Sequence, residues 1–347
     1  MRSRAALISL LCYLLVCQQR TAAHSLPIVV NTWPFTNATR NAWERLQAGG
    51  SSLDAVQEGC TCELEQCDFT VGYGGSPDEL GKTTLDALIM DGSTMRAGAV
   101  ANLQKVKKAI STARLVLEHT THTLLSGQQA DAFAAEMGEE LSDLSTPGST
   151  TQHQTWLNAS CQPNFRRGVV PDPTTACGPY HLDQADPRGD TLCQASTIDE
   201  HNHDTISMVV VDETGKVAAG SSSNGATHKV PGRVGDAAVP GGGAYASPDG
   251  GCASTGDGDT HLRFQPCLLV VEAMRGGASP LDAAQSVVKR MAHWFPQYVG
   301  ALVAVNARGQ HAAAAFGWQF QYAVRAAQQA DVKIIDVEPL TLAQQES

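Results

Sequence analysis

The sequence is short of positive charge. Its 24 Lys and Arg face 35 Asp and Glu, for a net charge of −11. That balance argues against nucleic acid and anionic membrane as partners. Long apolar runs are also missing after residue 23, so no later segment is expected to cross a membrane as a helix. There is no internal repeat. The usual metal spacings are incomplete. Cys60-x-Cys62 lacks the C-x₂-C interval and has no matching second pair. Glu118-His119-Thr-Thr-His122 places its glutamate outside the histidine pair, unlike H-E-x-x-H. Asp257-Gly-Asp259 lacks the twelve-residue calcium pattern. His201-x-His203-Asp204 can be read as a ligand group, but capping or core hydrogen bonding is the commoner fate of such residues. Neither a metal nor a cofactor is expected.

What is present begins with a targeting signature. Arg2 and Arg4 precede an apolar run over residues 5–17, and Thr21-Ala22-Ala23 supplies small residues for cleavage. Residues 1–23 therefore read as a secretory signal peptide. Its removal would take away three arginines and no acid, leaving the rest more acidic still. Of ten cysteines, Cys12 and Cys17 would go with it. In a secreted chain the others are read first as disulfides. Cys62 with Cys67, and Cys161 with Cys177, are the expected local pairs. Cys60, Cys193, Cys252 and Cys267 cannot be paired from sequence. Asn37-Ala-Thr39 and Asn158-Ala-Ser160 are glycosylation acceptors, making Asn37 and Asn158 the candidate sites.

Periodicity predicts strands over 26–31 and 84–90, the second ending in the turn Asp91-Gly92. Helices are predicted over 41–47, 52–63 with Ser52 as N-cap, 100–117 and 128–137. From 143 to 204 Ser, Thr, Pro, Gly, Asn and Asp dominate and periodicity is lost. Residues 183–204 read as a flexible linker, the kind of segment where processing occurs. A hairpin over 205–212 and 216–222 follows abruptly, then a Gly-rich stretch over 232–258. Helices over 263–275 and 279–294 and strands over 302–306 and 311–316 complete the pattern. A four-layer α/β/β/α sandwich of α+β class is the expected fold, although pattern alone admits other α+β arrangements.

The chemistry-bearing candidates each have a plainer reading. Thr205 directly follows Asp204 at the mouth of an apolar strand. It is either an ordinary strand start or the product of a cut. Cleavage of the Asp204–Thr205 bond would give Thr205 a free α-amine, with a pKa of roughly 8, beside its own hydroxyl. Arg233 and Asp236 lie three apart between glycines. They are a surface ion pair, or a fork for a carboxylate and an acceptor for an ammonium. Thr255 and Gly256 are part of a flexible turn, or donors to a developing oxyanion. Trp33 is core, or a platform for a sugar face.

Taken in order, these stretches resemble the glycosylasparaginases, N-terminal-nucleophile amidohydrolases of the type-2 asparaginase superfamily. The resemblance covers residues 26 to about 314. It rests on Val30-Asn-Thr-Trp-Pro-Phe35, Val71-Gly-Tyr-Gly-Gly-Ser-Pro-Asp-Glu79, Leu85-Asp-Ala-Leu-Ile-Met-Asp-Gly92, Glu118-His-Thr-Thr-His122, His203-Asp-Thr-Ile206, Ser223-Asn-Gly225, Gly232-Arg-Val-Gly-Asp236 and Thr255-Gly256. It implies the sandwich fold of N-terminal-nucleophile hydrolases and hydrolysis of the N-acetylglucosamine–asparagine amide. L-asparaginase or β-aspartyl-peptidase activity is the alternative within the superfamily; an uncleaved glycoprotein with a binding role is the alternative outside it.

The same resemblance implies a division into 24–204 and 205–347 by self-cleavage, with the two chains forming one domain. Thr205 would be nucleophile and base, Asp204 and Thr70 would aid the cut, and Ser223 would orient the nucleophile. Arg233 would hold the substrate α-carboxylate, Asp236 the α-ammonium, Thr255 and Gly256 the oxyanion, and Trp33 the sugar side. A dimer of cleaved αβ pairs and lysosomal delivery are implied likewise. Departures from the family pattern are Ser223 and Thr70, which exchange one hydroxyl residue for another, and Ser207, where the family has glycine. The tail after Phe316 matches poorly, and the late cysteine pairs of animal members are missing.

Overall fold

In the computed structural model, residues 26–61, 67, 71–185 and 205–341 are described. The signal-peptide reading, Cys62, Thr70, Asp204 and nearly all of the 183–204 linker lie outside them. The strands are β1 (Ile28–Thr32), β2 (Leu85–Asp91), β3 (Arg96–Leu103), β4 (Leu124–Ser126), β5 (Val169–Val170), β6 (His181–Leu182), β7 (Thr205–Val211), β8 (Val217–Ser223), β9 (Ala244–Ser247), β10 (Gly250–Gly256), β11 (Gly300–Asn306), β12 (His311–Phe316), β13 (Phe320–Ala326) and β14 (Lys333–Val337). The helices are α1 (Thr36–Gln47), α2 (Ser52–Cys60), α3 (Ala109–His119), α4 (Gly127–Glu136), α5 (Pro147–Asn158), α6 (Gly258–Phe264), α7 (Pro266–Arg275) and α8 (Pro280–Trp294).

Eight strands form one sheet in the order β14-β13-β1-β7-β8-β2-β3-β4, and four form another in the order β12-β11-β10-β9. The strand β7 shows how they stack. A Cβ on Gly251 of β10 would lie 2.6 Å from Val209, whereas Met208 packs against Gly59 of α2. Odd-numbered residues of β7 therefore face the second sheet and even-numbered ones face helices. Helices α1–α4 cover the outer face of the large sheet, and α7 and α8 cover the small one. This is the expected α/β/β/α sandwich. Its main core lies between the sheets and under α1–α4, and a smaller one lies under α7 and α8.

Several elements depart from the sequence reading. Residues 100–103 end β3, and the helix predicted over 100–117 starts only at Ala109. A strand buried on both faces has a continuous apolar run that periodicity alone does not separate from a helix. Ser51, not Ser52, caps α2: it accepts the Asp54 N–H, while the Asp54 carboxylate accepts the Ser51 N–H at 2.8 Å. The helix predicted over 263–275 is two helices, parted at Gln265 in the left-handed region (φ 53°) and at Pro266, which has no N–H to continue α6. Helix α5 arises in sequence read as loop, from a Thr146/Ser149 capping box and Pro147 at its first turn. Strands β13 and β14 lie in the tail after Phe316, where no element is predicted; β13 pairs with β1 from Ile28↔Ala326 to Thr32↔Tyr322. Cys161 and Cys177 form a disulfide, as expected. Cys67 is disulfide-bonded, while Cys60, Cys252 and Cys267 are free and buried.

Candidate active site

Thr205 is the first residue of β7 and pairs in register with Ser223, the last of β8. Its Oγ1 lies 2.8 Å from Ser223 Oγ. Ser223 Oγ also accepts the Gly225 N–H at 2.8 Å. One lone pair is thereby taken, leaving the Ser223 hydrogen free to point at Thr205. Two residues along the same face, Ser207 and Ser221 pair hydroxyls at 2.8 Å, both fully buried. The Ser207 side chain thus has a partner inside the sheet layer.

The end of β1 joins this strand to the second sheet. Ser207 N–H donates to Thr32 Oγ1 at 2.9 Å, and the next residue, Trp33, donates its indole N–H to Thr255 Oγ1 at 3.0 Å. Trp33 has a left-handed backbone (φ 67°), is 4% exposed and sits edge-on to Trp318 and Phe320. The core reading of Trp33 and a contact with the candidate oxyanion residue both hold. Thr255 and Gly256 end β10 and are not a flexible turn. Gly256 (φ 125°) faces Gly300 of β11 so closely that a Cβ would strike the Gly300 Cα. The Asp257 carboxylate caps α6, accepting from the Asp259 and Thr260 N–H groups at 3.1 Å.

Arg233 and Asp236 are not a pair on the surface. A Cβ on Gly258 would lie 2.6 Å from Asp236 Oδ1 and 3.1 Å from Arg233 Nη2, so both charged ends reach one point. A Cβ on Gly225 would lie 2.9 Å from Arg233 Nη1, which brings the guanidinium beside the loop that holds Ser223. Arg233 Nη2 donates to Asp259 at 2.9 Å. Burial, the largest influence, works against the charged guanidinium, but Asp259, Asp86 and Asp236 outweigh it and raise its pKa. For Asp236, burial favours the neutral acid; His261, Arg233 and Ser254 outweigh it and hold its carboxyl below the ordinary value. Asp86 ties the loop to β2, accepting the Gly235 N–H at 3.0 Å and the Asn102 N–H at 2.7 Å.

The structure therefore brings together Thr205, Ser223, Trp33, Thr255, Gly256, Arg233 and Asp236. The family model described as asparaginase matches residues 16–334. The chain belongs to this asparaginase family. It is 53% identical over 294 residues to the rat N(4)-(beta-N-acetylglucosaminyl)-L-asparaginase, covering 84% of this chain and 85% of that one. It is 52% identical over 319 residues to the mouse protein of the same name, covering 90% and 91%. It is also 48% identical over 328 residues to a probable isoaspartyl peptidase/L-asparaginase 3 of Arabidopsis thaliana, covering 90% and 91%.

Within this asparaginase, sequence reading missed several residues around the site. His261 Nδ1 lies 2.7 Å from Asp236 Oδ2, and its Nε2 lies 2.8 Å from the Tyr298 hydroxyl. Ser254 Oγ lies 3.0 Å from the same Asp236 oxygen. Asn224 holds the backbone of Gly72 through both its Oδ1 and Nδ2. Only the position of His261, two residues after Asp259, hinted at a role. His119 and His122, by contrast, are exposed and remote in sequence from these groups. Asn37 and Asn158 are both exposed. No helix among the described residues is long and apolar enough to cross a membrane.

Proposed function

We propose that this asparaginase hydrolyses the amide between N-acetylglucosamine and asparagine in free glycoasparagine, after cutting itself between Asp204 and Thr205. The observation that carries the reading is the Thr205–Ser223 pair at 2.8 Å, at the mouth of a strand and beside an Arg233–Asp236 fork. In the self-cleavage, Thr205 Oγ attacks the Asp204 carbonyl carbon and the peptide nitrogen leaves as the new α-amine. Water then hydrolyses the ester, freeing the Asp204 carboxylate and the Thr205 hydroxyl. Asp204 and Thr70 aid this step by family likeness.

The released amine is the base for the second reaction. It takes the proton from Thr205 Oγ as that oxygen attacks the substrate amide carbon, then passes a proton to the departing glycosylamine. Thr255 O–H and Gly256 N–H face the oxyanion, each contributing about 3 kcal/mol by comparison with other such donors. Water hydrolyses the β-aspartyl ester and aspartate leaves. Arg233 holds the α-carboxylate and Asp236 the α-ammonium, so an asparagine still within a peptide is refused. Trp33 is assigned the support of Thr255, with its ring edge towards the sugar side. The names of the rat and mouse relatives support this substrate; the plant relative's name supports β-aspartyl peptides and free asparagine as the second reading.

Entry to the secretory pathway with lysosomal delivery, glycans on Asn37 and Asn158, and a dimer of cleaved αβ pairs belong to the same proposal. Amino-terminal sequencing of the smaller fragment should read Thr-Ile-Ser. A Thr205→Ala protein that still divides there refutes self-cleavage. Relative turnover of glycoasparagine, asparagine and β-aspartyl dipeptides separates the two substrate readings.

A further inference from the structure

Asp236, His261 and Tyr298 form a buried line. The residues are 5%, 0% and 1% exposed, with heavy-atom separations of 2.7 and 2.8 Å along it. They come from three places: the loop before β9, helix α6, and the turn leading into β11. We infer that His261 and Tyr298 are positioning residues that fix the charge and orientation of Asp236, and thereby the enzyme's preference for a substrate with a free α-amine. The inference rests on the reading of Asp236 as the ammonium acceptor.

The ionised state of Asp236 decides the direction of the bond it receives. Tyr298 is fully buried, and burial, with Asp257 and Asp236 next in effect, pushes its pKa well above the ordinary phenol value. Its hydroxyl therefore stays protonated and lies 2.8 Å from His261 Nε2. The Asp236 carboxyl, held below its ordinary value and so ionised, can only accept, and His261 Nδ1 therefore carries a hydrogen and donates to Oδ2 at 2.7 Å. The alternative tautomer would aim a lone pair at a carboxylate. Ser254 is a weaker claimant on the same oxygen, because its single hydrogen is shared among Asp236, Gly242 O at 2.8 Å and Gly243 O at 3.2 Å. His261 is thus the committed donor. It occupies Oδ2 and leaves Oδ1 facing the point beside Gly258 that Arg233 also reaches.

The Tyr298 end is held as closely. Its ring stacks on Phe316 at 6.4 Å and 15°. A Cβ on Gly300 would strike the Tyr298 hydroxyl and lie 3.0 Å from the Thr255 carbonyl. The relay therefore packs against the strand pair that carries Thr255 and Gly256. A shift of Tyr298 is resisted from that side, and a shift of His261 is resisted by the carboxylate.

The test uses the processed enzyme and two substrates: glycoasparagine and the N-acetylglucosaminylamide of succinic acid, which lacks the α-amine. The unaltered enzyme should prefer the first in KM by roughly tenfold or more, the strength of one charge-assisted hydrogen bond. Tyr298→Phe keeps the ring and removes the hydroxyl. His261→Leu removes both contacts. Each should raise KM for glycoasparagine roughly threefold to tenfold, leave KM for the succinyl amide in place, and change kcat less than KM. His261→Asn, which returns an N–H near Nδ1, should recover part of the loss. An unchanged preference in Tyr298→Phe and His261→Leu overturns the inference and leaves the Asp236 reading standing. Equal losses on both substrates also overturn it, since that is how a purely structural role behaves. An unaltered enzyme without preference refutes the Asp236 reading itself, and the inference with it. If His261→Leu fails to fold or process, Tyr298→Phe alone decides.

Discussion

The indole N–H of Trp33 donates to the Thr255 hydroxyl at 3.0 Å. That bond occupies an acceptor site on Thr255 and leaves its hydrogen to be given elsewhere, which is what an oxyanion donor requires. Trp33→Phe keeps a ring between Trp318 and Phe320 and removes only this donor. It should lower kcat roughly tenfold, the value of one buried hydrogen bond exerted on a catalytic donor. KM should stay within about threefold on the same scale. A large rise in KM at constant kcat would instead make Trp33 a sugar platform and nothing more.

Ser223 is constrained in the same way. The Gly225 N–H takes one of its lone pairs at 2.8 Å, and its hydrogen is free to be given to Thr205 Oγ1, 2.8 Å away. In Ser223→Ala both reactions of Thr205 should slow, by about a hundredfold if the hydroxyl acts as an oxyanion-type donor. Ser223→Thr preserves the oxygen and should retain most of the activity. The fragment beginning at Thr205 is followed on a reducing gel, and turnover is normalised to the amount formed. Normal processing with slow turnover in Ser223→Ala would confine Ser223 to the second reaction.

The sequence made the line of the site legible further than its packing. Thr205, Arg233, Asp236, Thr255 and Gly256 each stand in a short stretch with its own local chemistry, and these are the residues the fold gathers. Tyr298 was not legible and His261 barely so, because a histidine in a short, largely polar helix and a tyrosine before a strand look like ordinary structural residues. Their meaning comes from a contact 37 residues apart and another 25 apart. The same reason hid β13, whose alternating Phe320, Tyr322 and Val324 say strand but not that β1 is the neighbour. Helix α5 was hidden by poor helix formers; its capping box and the buried Trp156 hold it.

Ser207, expected from the sequence to replace a glycine, occupies a central strand. Its side chain shares the face of Thr205, lies fully buried and bonds to Ser221 at 2.8 Å. Ser207→Gly would leave the Ser221 hydroxyl buried without that partner and add backbone freedom to a central strand. Both effects destabilise, together by about 1–3 kcal/mol. The nearest hydroxyl pair, Thr205 with Ser223, is untouched, so processing should proceed within about twofold of its normal rate, since an intact hydrogen bond carries no cost. Urea unfolding gives the first quantity and the time course of fragment formation the second. Faster cleavage in Ser207→Gly would show that the hydroxymethyl group obstructs the site.

His228 gives the fold a defined response to acid. The Trp156 ring of α5 stacks on it at 4.6 Å and 15°, and His153 also stacks on Trp156 at 5.9 Å and 29°. Burial chiefly, and His153 after it, lowers the His228 pKa from 6.5 to about 4. A depressed pKa on a base means that the unfolded chain binds the extra proton first as pH falls. The contribution is whole above pH 6.5 and is lost progressively as pH drops towards about 4. His228→Phe keeps a ring for Trp156 and removes the titration. Its Tm should therefore fall less steeply than that of the unaltered protein between pH 6.5 and about 4. The slope is the readout, not the absolute Tm, because the new ring also changes packing. Parallel slopes would show that other groups govern stability in acid and that His228 is a packing residue only.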